Sequence, residues 1–188
     1  MKVMSLDPAL GGGCAILCAH LGDKLTILDG RVDYGLQKTE EIFEMIEHFA
    51  AEYAPSLLIV EYDAQQKGIG NDDRLALLGR RYGFHVRPHL TRGNKMDAIF
   101  GVASMDQSFK RAEIRIPYGD TYTQEKMGPL VDQLKAWRPD IPTAQLTQDL
   151  VMALWFLWKH WMEIKKVHKE PAAPAWRPSW LIQERRGA

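Results

Sequence analysis

Leu57-Leu58-Ile59-Val60-Glu61 is a continuous apolar run closed by a carboxylate. Four consecutive apolar residues suit a strand buried on both faces of a parallel sheet, which lacks the alternation of a half-exposed strand. The preceding segment, Thr39 to Ala54, places Ile42, Phe43, Met45, Ile46, Phe49, Ala50 and Tyr53 along one helical stripe. Glu40, Glu41, Glu44, Glu47 and Glu52 lie largely opposite, and Pro55 ends the helix. Further back, Lys2 to Asp7, Cys14 to His20 and Lys24 to Tyr34 read as three strands, broken by Gly11-Gly12-Gly13 and turned at Leu21-Gly22-Asp23. A helix between strands must return to the sheet by a right-handed crossover, so the fourth strand lies parallel to the first.

Downstream, Asp72 to Tyr82 reads as a helix capped by Asn71 or Asp72, and Phe84 to Arg87 as a strand ended by Pro88. Asn94 to Phe109 and Thr123 to Trp137 read as helices, with Pro139 stopping the second. Glu113 to Ile116 suits a small strand, and a long helix starts between Thr143 and Thr147 and runs to about Lys166. The expected fold class is α/β, a mixed five-stranded sheet of an antiparallel meander plus parallel strands, flanked by helices. One domain spans residues 1–168. A tail, 169–188, carries Pro171, Pro174, Pro178, Trp176 and Trp180, either a loose terminus or a docking peptide.

The apolar run Leu150 to Trp158 is too short to cross a bilayer. The start of the chain lacks the basic-then-apolar layout of a signal peptide, so the expected location is not secreted. Cys14 and Cys18 share one apolar stretch and read as reduced core thiols. Net charge is zero, which argues against an indiscriminate nucleic-acid coat. Its distribution is uneven: residues 64–115 carry 10 Lys and Arg against 5 Asp and Glu, whereas residues 1–63 carry 4 against 11. Lys67, Arg74, Arg80, Arg81, Arg87, Arg92 and Lys95 are therefore candidates for a DNA-phosphate face, with a solvated surface as the plainer alternative.

Three carboxylates sit at ends of apolar segments: Asp7, Glu61 and Asp149. Acids that converge beside a core repel one another and lose hydration unless a cation lies between them. Parallel placement of the first and fourth strands puts Asp7 and Glu61 at one carboxyl edge, where open α/β sheets carry their sites. Asp149, opening the last helix, completes the trio. Two Mg²⁺ or Mn²⁺ ions held by Asp7, Glu61 and Asp149 suit phosphodiester hydrolysis, with Asp7 as the bridging ligand and Lys95 near the scissile phosphate. As single residues, the three acids read equally as a turn residue, a surface carboxylate and a helix cap. His85 and His89 flank a strand end and lack the spacing of a zinc protease. Trp155, Trp158 and Trp161 read as core and rim.

Ser5-Leu6-Asp7-Pro8-Ala9 with its glycines, Leu58-Ile59-Val60-Glu61, Thr91-Arg92-Gly93-Asn94-Lys95 and Thr147-Gln148-Asp149-Leu150-Val151-Met152-Ala153 together resemble the nuclease domain of the large terminase subunit of tailed bacteriophages. That family belongs to the ribonuclease H-like superfamily, and the resemblance covers residues 2–163. It implies a metal-dependent endonuclease that cuts double-stranded viral DNA during genome packaging, in the cytoplasm of the bacterial host. Its implied partners are the packaging ATPase domain, the small terminase subunit and the portal protein. The chain departs from the family at Gln148 and Met152, where acids are usual, at Gly13-Cys14-Ala15, which lacks a further acid, and at Ala98 in place of a basic residue. Two other readings stand beside it: a Holliday-junction resolvase of the same superfamily, and a catalytically silent module of that fold that binds DNA or a partner.

Overall fold

A computed structural model describes residues 1–8, 13–36, 38–62, 67–91, 101–138, 140 and 148–169, with backbone alone at 67–68 and 167–169. Among the described residues six strands form one sheet: β1 (Lys2–Asp7), β2 (Cys14–Leu21), β3 (Leu25–Asp33), β4 (Leu57–Glu61), β5 (His85–His89) and β6 (Ile114–Arg115). Their order across the sheet is β5-β4-β1-β2-β3-β6. The expected meander is present, since β1 pairs antiparallel with β2 and β2 with β3. The expected crossovers are also present, since β4 runs parallel to β1 and β5 parallel to β4.

The sheet has six strands where five were expected, because the short Ile114–Arg115 segment joins β3 in parallel. A second difference lies at β5, which passes through Pro88 instead of ending before it. Proline lacks a ladder donor, and an edge strand is where a sheet tolerates that loss. β5 is such an edge, with Pro88 opposite Val60.

The helices are α1 (Thr39–Tyr53), α2 (Lys67–Gly70), α3 (Asp73–Tyr82), α4 (Asp106–Lys110), α5 (Thr121–Ala136) and α6 (Asp149–Lys169). Asp72 caps α3 by accepting from the Arg74 amide, as the sequence led us to expect. Of the helix expected from Asn94 to Phe109, residues 94–100 lie outside the described residues. The remainder is a 3₁₀ turn, Val102–Met105, followed by α4. Pro139 and residues 141–147 are likewise outside them.

Two cores form because β1 and β4 are apolar on both faces. Met4, Leu6, Leu58 and Val60 pack with Ile42, Ile46 and Phe49 of α1 and Leu75 of α3. Val3, Ile59, Ala15 and Leu17 pack on the other side with Leu150 to Leu157 of α6. Trp155, Trp158 and Trp161 are all buried there, so the three expected as core and rim are core. Cys14 and Cys18 are buried and form no disulfide, and burial pushes the Cys18 thiol up to about 12. No helix among the described residues is long and apolar enough to cross a membrane.

Candidate active site at the carboxyl edge of the sheet

Alternation along β1 and β4 decides where the first two acids point. Ser5 donates to the carbonyl of Ala153 in α6 at 2.8 Å, so Ser5 faces that helix. Two residues on, Asp7 shares the face. Ile59 packs in the same α6-side core, so Glu61 does likewise. The parallel register pairs Leu6 with Val60, and Asp7 and Glu61 follow immediately, on neighbouring strands spaced about 5 Å apart. Asp7 is 7% exposed and Glu61 2%. The parallel register therefore sets these two acids at the carboxyl ends of neighbouring strands, on one edge of the sheet.

Asp149 reaches the same edge from above. It opens α6, and its carboxyl group lies against Gly13, where a Cβ would clash with Oδ2. Gly13 lies two residues before Ala15, the cross-strand partner of Asp7. The acids thus form a row along the edge, Glu61 on β4, Asp7 on β1 and Asp149 over the start of β2. Among the described residues no group of three or more His, Cys, Asp or Glu side chains is placed to hold a metal ion.

Several neighbours hold these acids. Thr91 donates from Oγ1 to Glu61 Oε1 at 2.5 Å in a buried position. The ring of His89, which pairs with Glu61 across the ladder, packs on Trp155 and Phe156 of α6. Burial drives the His89 imidazolium down to about 4, so the ring is neutral around pH 7. At the other end Gln133 of α5 accepts from the Leu150 amide at 2.9 Å, fixing the first turn of α6. The same carboxamide donates to the Tyr34 hydroxyl at 3.1 Å.

The positions that depart from the terminase pattern are also accounted for. Gln148 accepts from the Trp137 indole at 3.3 Å, and Met152 is buried in the α6-side core. Neither position offers the row another acid.

The basic candidates do not line this edge as a group. Arg74 is bound by Glu40 and Asp72, at 2.7 and 2.8 Å, and its guanidinium stacks over Phe43. Arg81 pairs with Glu47 at 2.7 Å. Both belong to α3, which packs with α1 on the face opposite α6, and exposed Arg80 sits on the same helix. These three arginines therefore lie on the α1 side of the sheet, opposite the α6 side toward which Ser5 and Ile59 point. Arg87 is on the α6 side, occupied by Glu163 and His160. Arg92, Lys95 and the side chain of Lys67 lie outside the described residues, as does the tail beyond Lys169.

Sequence reasoning missed Tyr34, Gln133 and His89 as neighbours of the site. Gln133 carries no local signal, since its partners are 99 and 17 residues away. Gly13 read as a chain break, whereas its lack of a side chain makes room for Asp149.

No protein-family model and no curated protein matches the sequence. Among solved structures, the fowlpox virus Holliday junction resolvase is similar with a TM-score of 0.50 at 13% identity, covering 88% of this chain and 99% of that one. Thermus thermophilus RuvC is similar at a TM-score of 0.46 and 15% identity, over 86% of this chain and 96% of that one. A structure of T. thermophilus RuvC in complex with a Holliday junction substrate gives 0.44 and 13%, over 85% and 96%. At such identities the likeness concerns architecture alone: the chain has a mixed α/β fold, a six-stranded mixed sheet flanked by helices, similar to that of the fowlpox virus resolvase.

Proposed function

We propose that the chain is a divalent-metal-dependent nuclease that hydrolyses DNA phosphodiesters at the carboxyl edge of its sheet, with branched DNA as its substrate class. The observation that carries this reading is the burial of Asp7 and Glu61 side by side on parallel strands, facing the helix that brings in Asp149. Carboxylate oxygens are the donors that Mg²⁺ and Mn²⁺ prefer, so the donor set fits such an ion. Asp7 and Glu61 would hold it, with Asp149 as the third acid. When bound, the ion supplies charge stabilisation at the phosphate and activation of water. Thr91 keeps one oxygen of Glu61 oriented, and Gln133 holds the α6 start from which Asp149 projects.

Likeness of fold to a virus resolvase favours junctions over packaging concatemers, and the terminase reading rests on the sequence resemblance alone. The test compares cleavage of a labelled four-way junction and a linear duplex in Mg²⁺ or Mn²⁺, with and without chelator. Junction cutting that Asp7→Asn abolishes is the expected result. Equal cutting of both DNAs would return the packaging reading. Absence of metal-dependent cutting of either DNA would sink the enzyme.

A silent DNA-binding module is the second reading. It is favoured by the lack of a three-donor cluster among the described residues and by Gln148 and Met152 where acids would strengthen the site. Junction binding without cleavage in either metal would select it.

A further inference from the structure

Tyr34 lies just beyond the end of β3 and is 52% exposed. Its position is nonetheless fixed at two points. The hydroxyl accepts from Gln133, a residue only 7% exposed that is itself tied to the α6 backbone. The ring edge lies against Gly13, where a methyl group would come within 2.8 Å of Cε1. The ring therefore stands next to the Asp149 carboxylate, which occupies the same glycine. A phenol is neutral at ordinary pH and adds no charge against a phosphate backbone.

A rigid, uncharged, half-exposed aromatic ring at the rim of an acidic edge is suited to stacking. Nucleobases inside a continuous duplex have both faces covered by their neighbours, whereas a base at a branch point or frayed end has one free. Stacking on an aromatic side chain is tolerant of sequence because every base has a π-face.

We infer that Tyr34 stacks on an unpaired nucleobase of DNA bound along the Asp7–Glu61 edge, and so selects branched or open DNA over continuous duplex. The inference rests on the nuclease reading and names its specificity residue. Gln133 acts through Tyr34 as a positioning residue.

The test measures binding in chelator, so that cleavage plays no part. The probes are a four-way junction with 2-aminopurine at the branch and a continuous duplex of the same sequence. Tyr34→Ala is expected to weaken junction binding by roughly 5- to 100-fold, the loss of one base–aromatic stack, and to remove the change in 2-aminopurine emission. Duplex binding should change less than about 2-fold, because no free base face is offered there. Tyr34→Trp should restore junction binding, which separates loss of the ring from loss of fold. If Tyr34→Ala and Tyr34→Trp both bind the junction as the wild type does, the inference is overturned while the nuclease reading stands. If the wild type binds neither DNA and does not cut in Mn²⁺, the nuclease reading has failed, and the inference with it.

Discussion

The carboxyl group of Asp149 occupies the space that a side chain at position 13 would fill. This is a dependence between a loop glycine and a helix-opening acid 136 residues away in sequence (149 − 13). Gly13→Ala must push Asp149 out of the row or shift the start of β2. Disturbing the groups that place a metal ligand typically costs 10- to 100-fold in metal affinity or activity. We expect a loss of about that size in both cleavage and Mn²⁺ affinity by titration calorimetry, with the far-UV spectrum unchanged. Unaltered affinity would show that Asp149 does not take part.

Thr91→Val tests how Glu61 is held. The substitution keeps the shape and removes the donor that sits 2.5 Å from a buried carboxylate oxygen. A hydrogen bond to a charged group contributes about 1.5–3 kcal/mol, so denaturant unfolding without metal should show a loss near the lower end of that range. Cleavage should fall by about 10-fold because one oxygen of Glu61 loses its orientation. A fall in stability alone would make Thr91 a structural residue only.

What was legible in the chain follows from what is local. The apolar run of β4, the stripe of α1 and the Asp72 cap each announce themselves over a few residues, and the right-handed crossover rule then fixes β1 beside β4. Asp7 and Glu61 could therefore be placed at one edge before any coordinates. Tyr34, Gln133 and the Gly13 cradle could not, because their roles arise from contacts between α5, α6 and two loops. The surroundings of the arginines were hidden for a related reason. Composition shows that residues 64–115 are basic, but pairing with Glu40, Asp72 and Glu47 on α1 and the α3 cap depends on which face of the sheet they cover.

That pairing has its own consequence. Arg74→Ala with Arg81→Ala should leave junction affinity within about 2-fold of wild type, because neither cation faces the acidic edge. A phosphate contact at either position would flatten the salt dependence of binding by about one ion for each arginine lost. Measuring that slope between 50 and 200 mM salt, about a fourfold range in which such contacts are read, separates the two outcomes.

Away from the site, Lys126 of α5 lies 2.7 Å from the buried Asp29 of β3, and the Tyr53 hydroxyl at the end of α1 donates to the same carboxylate at 2.6 Å. The cluster joins helices from both faces of the sheet. Lys126→Met leaves the Asp29 charge in place with its main cation gone. Breaking a buried pair costs about 3–5 kcal/mol, and partial exposure of Lys126 brings the expectation to about 2–3 kcal/mol. Adding Asp29→Asn should recover part of the loss, since a neutral amide needs no cation. Activity per folded molecule should be unchanged in both variants.

His89 sets a pH dependence of stability whose sign can be worked out. Burial holds its folded-state ionisation down to about 4, while an unfolded histidine titrates near 6.5. Between those values the unfolded chain binds a proton that the native state refuses, so stability is full above about pH 6.5 and falls as pH drops toward 4. Glu61 and Glu163 favour the charged ring, Lys159 and Arg87 oppose it, and desolvation outweighs them all. The full shift corresponds to roughly 3 kcal/mol, and the remaining solvent contact reduces the expected loss to about 2 kcal/mol. Denaturant titrations from pH 7.5 to 4.5 in chelator should show this slope in the wild type and a flatter one in His89→Phe, which keeps the ring contacts with Trp155 and Phe156. Some slope should remain, because burial and Arg87 also lower the ionisation of His160. Identical slopes for the two proteins would mean that His89 reaches water freely and that the β5 edge is more open than its packing on α6 implies.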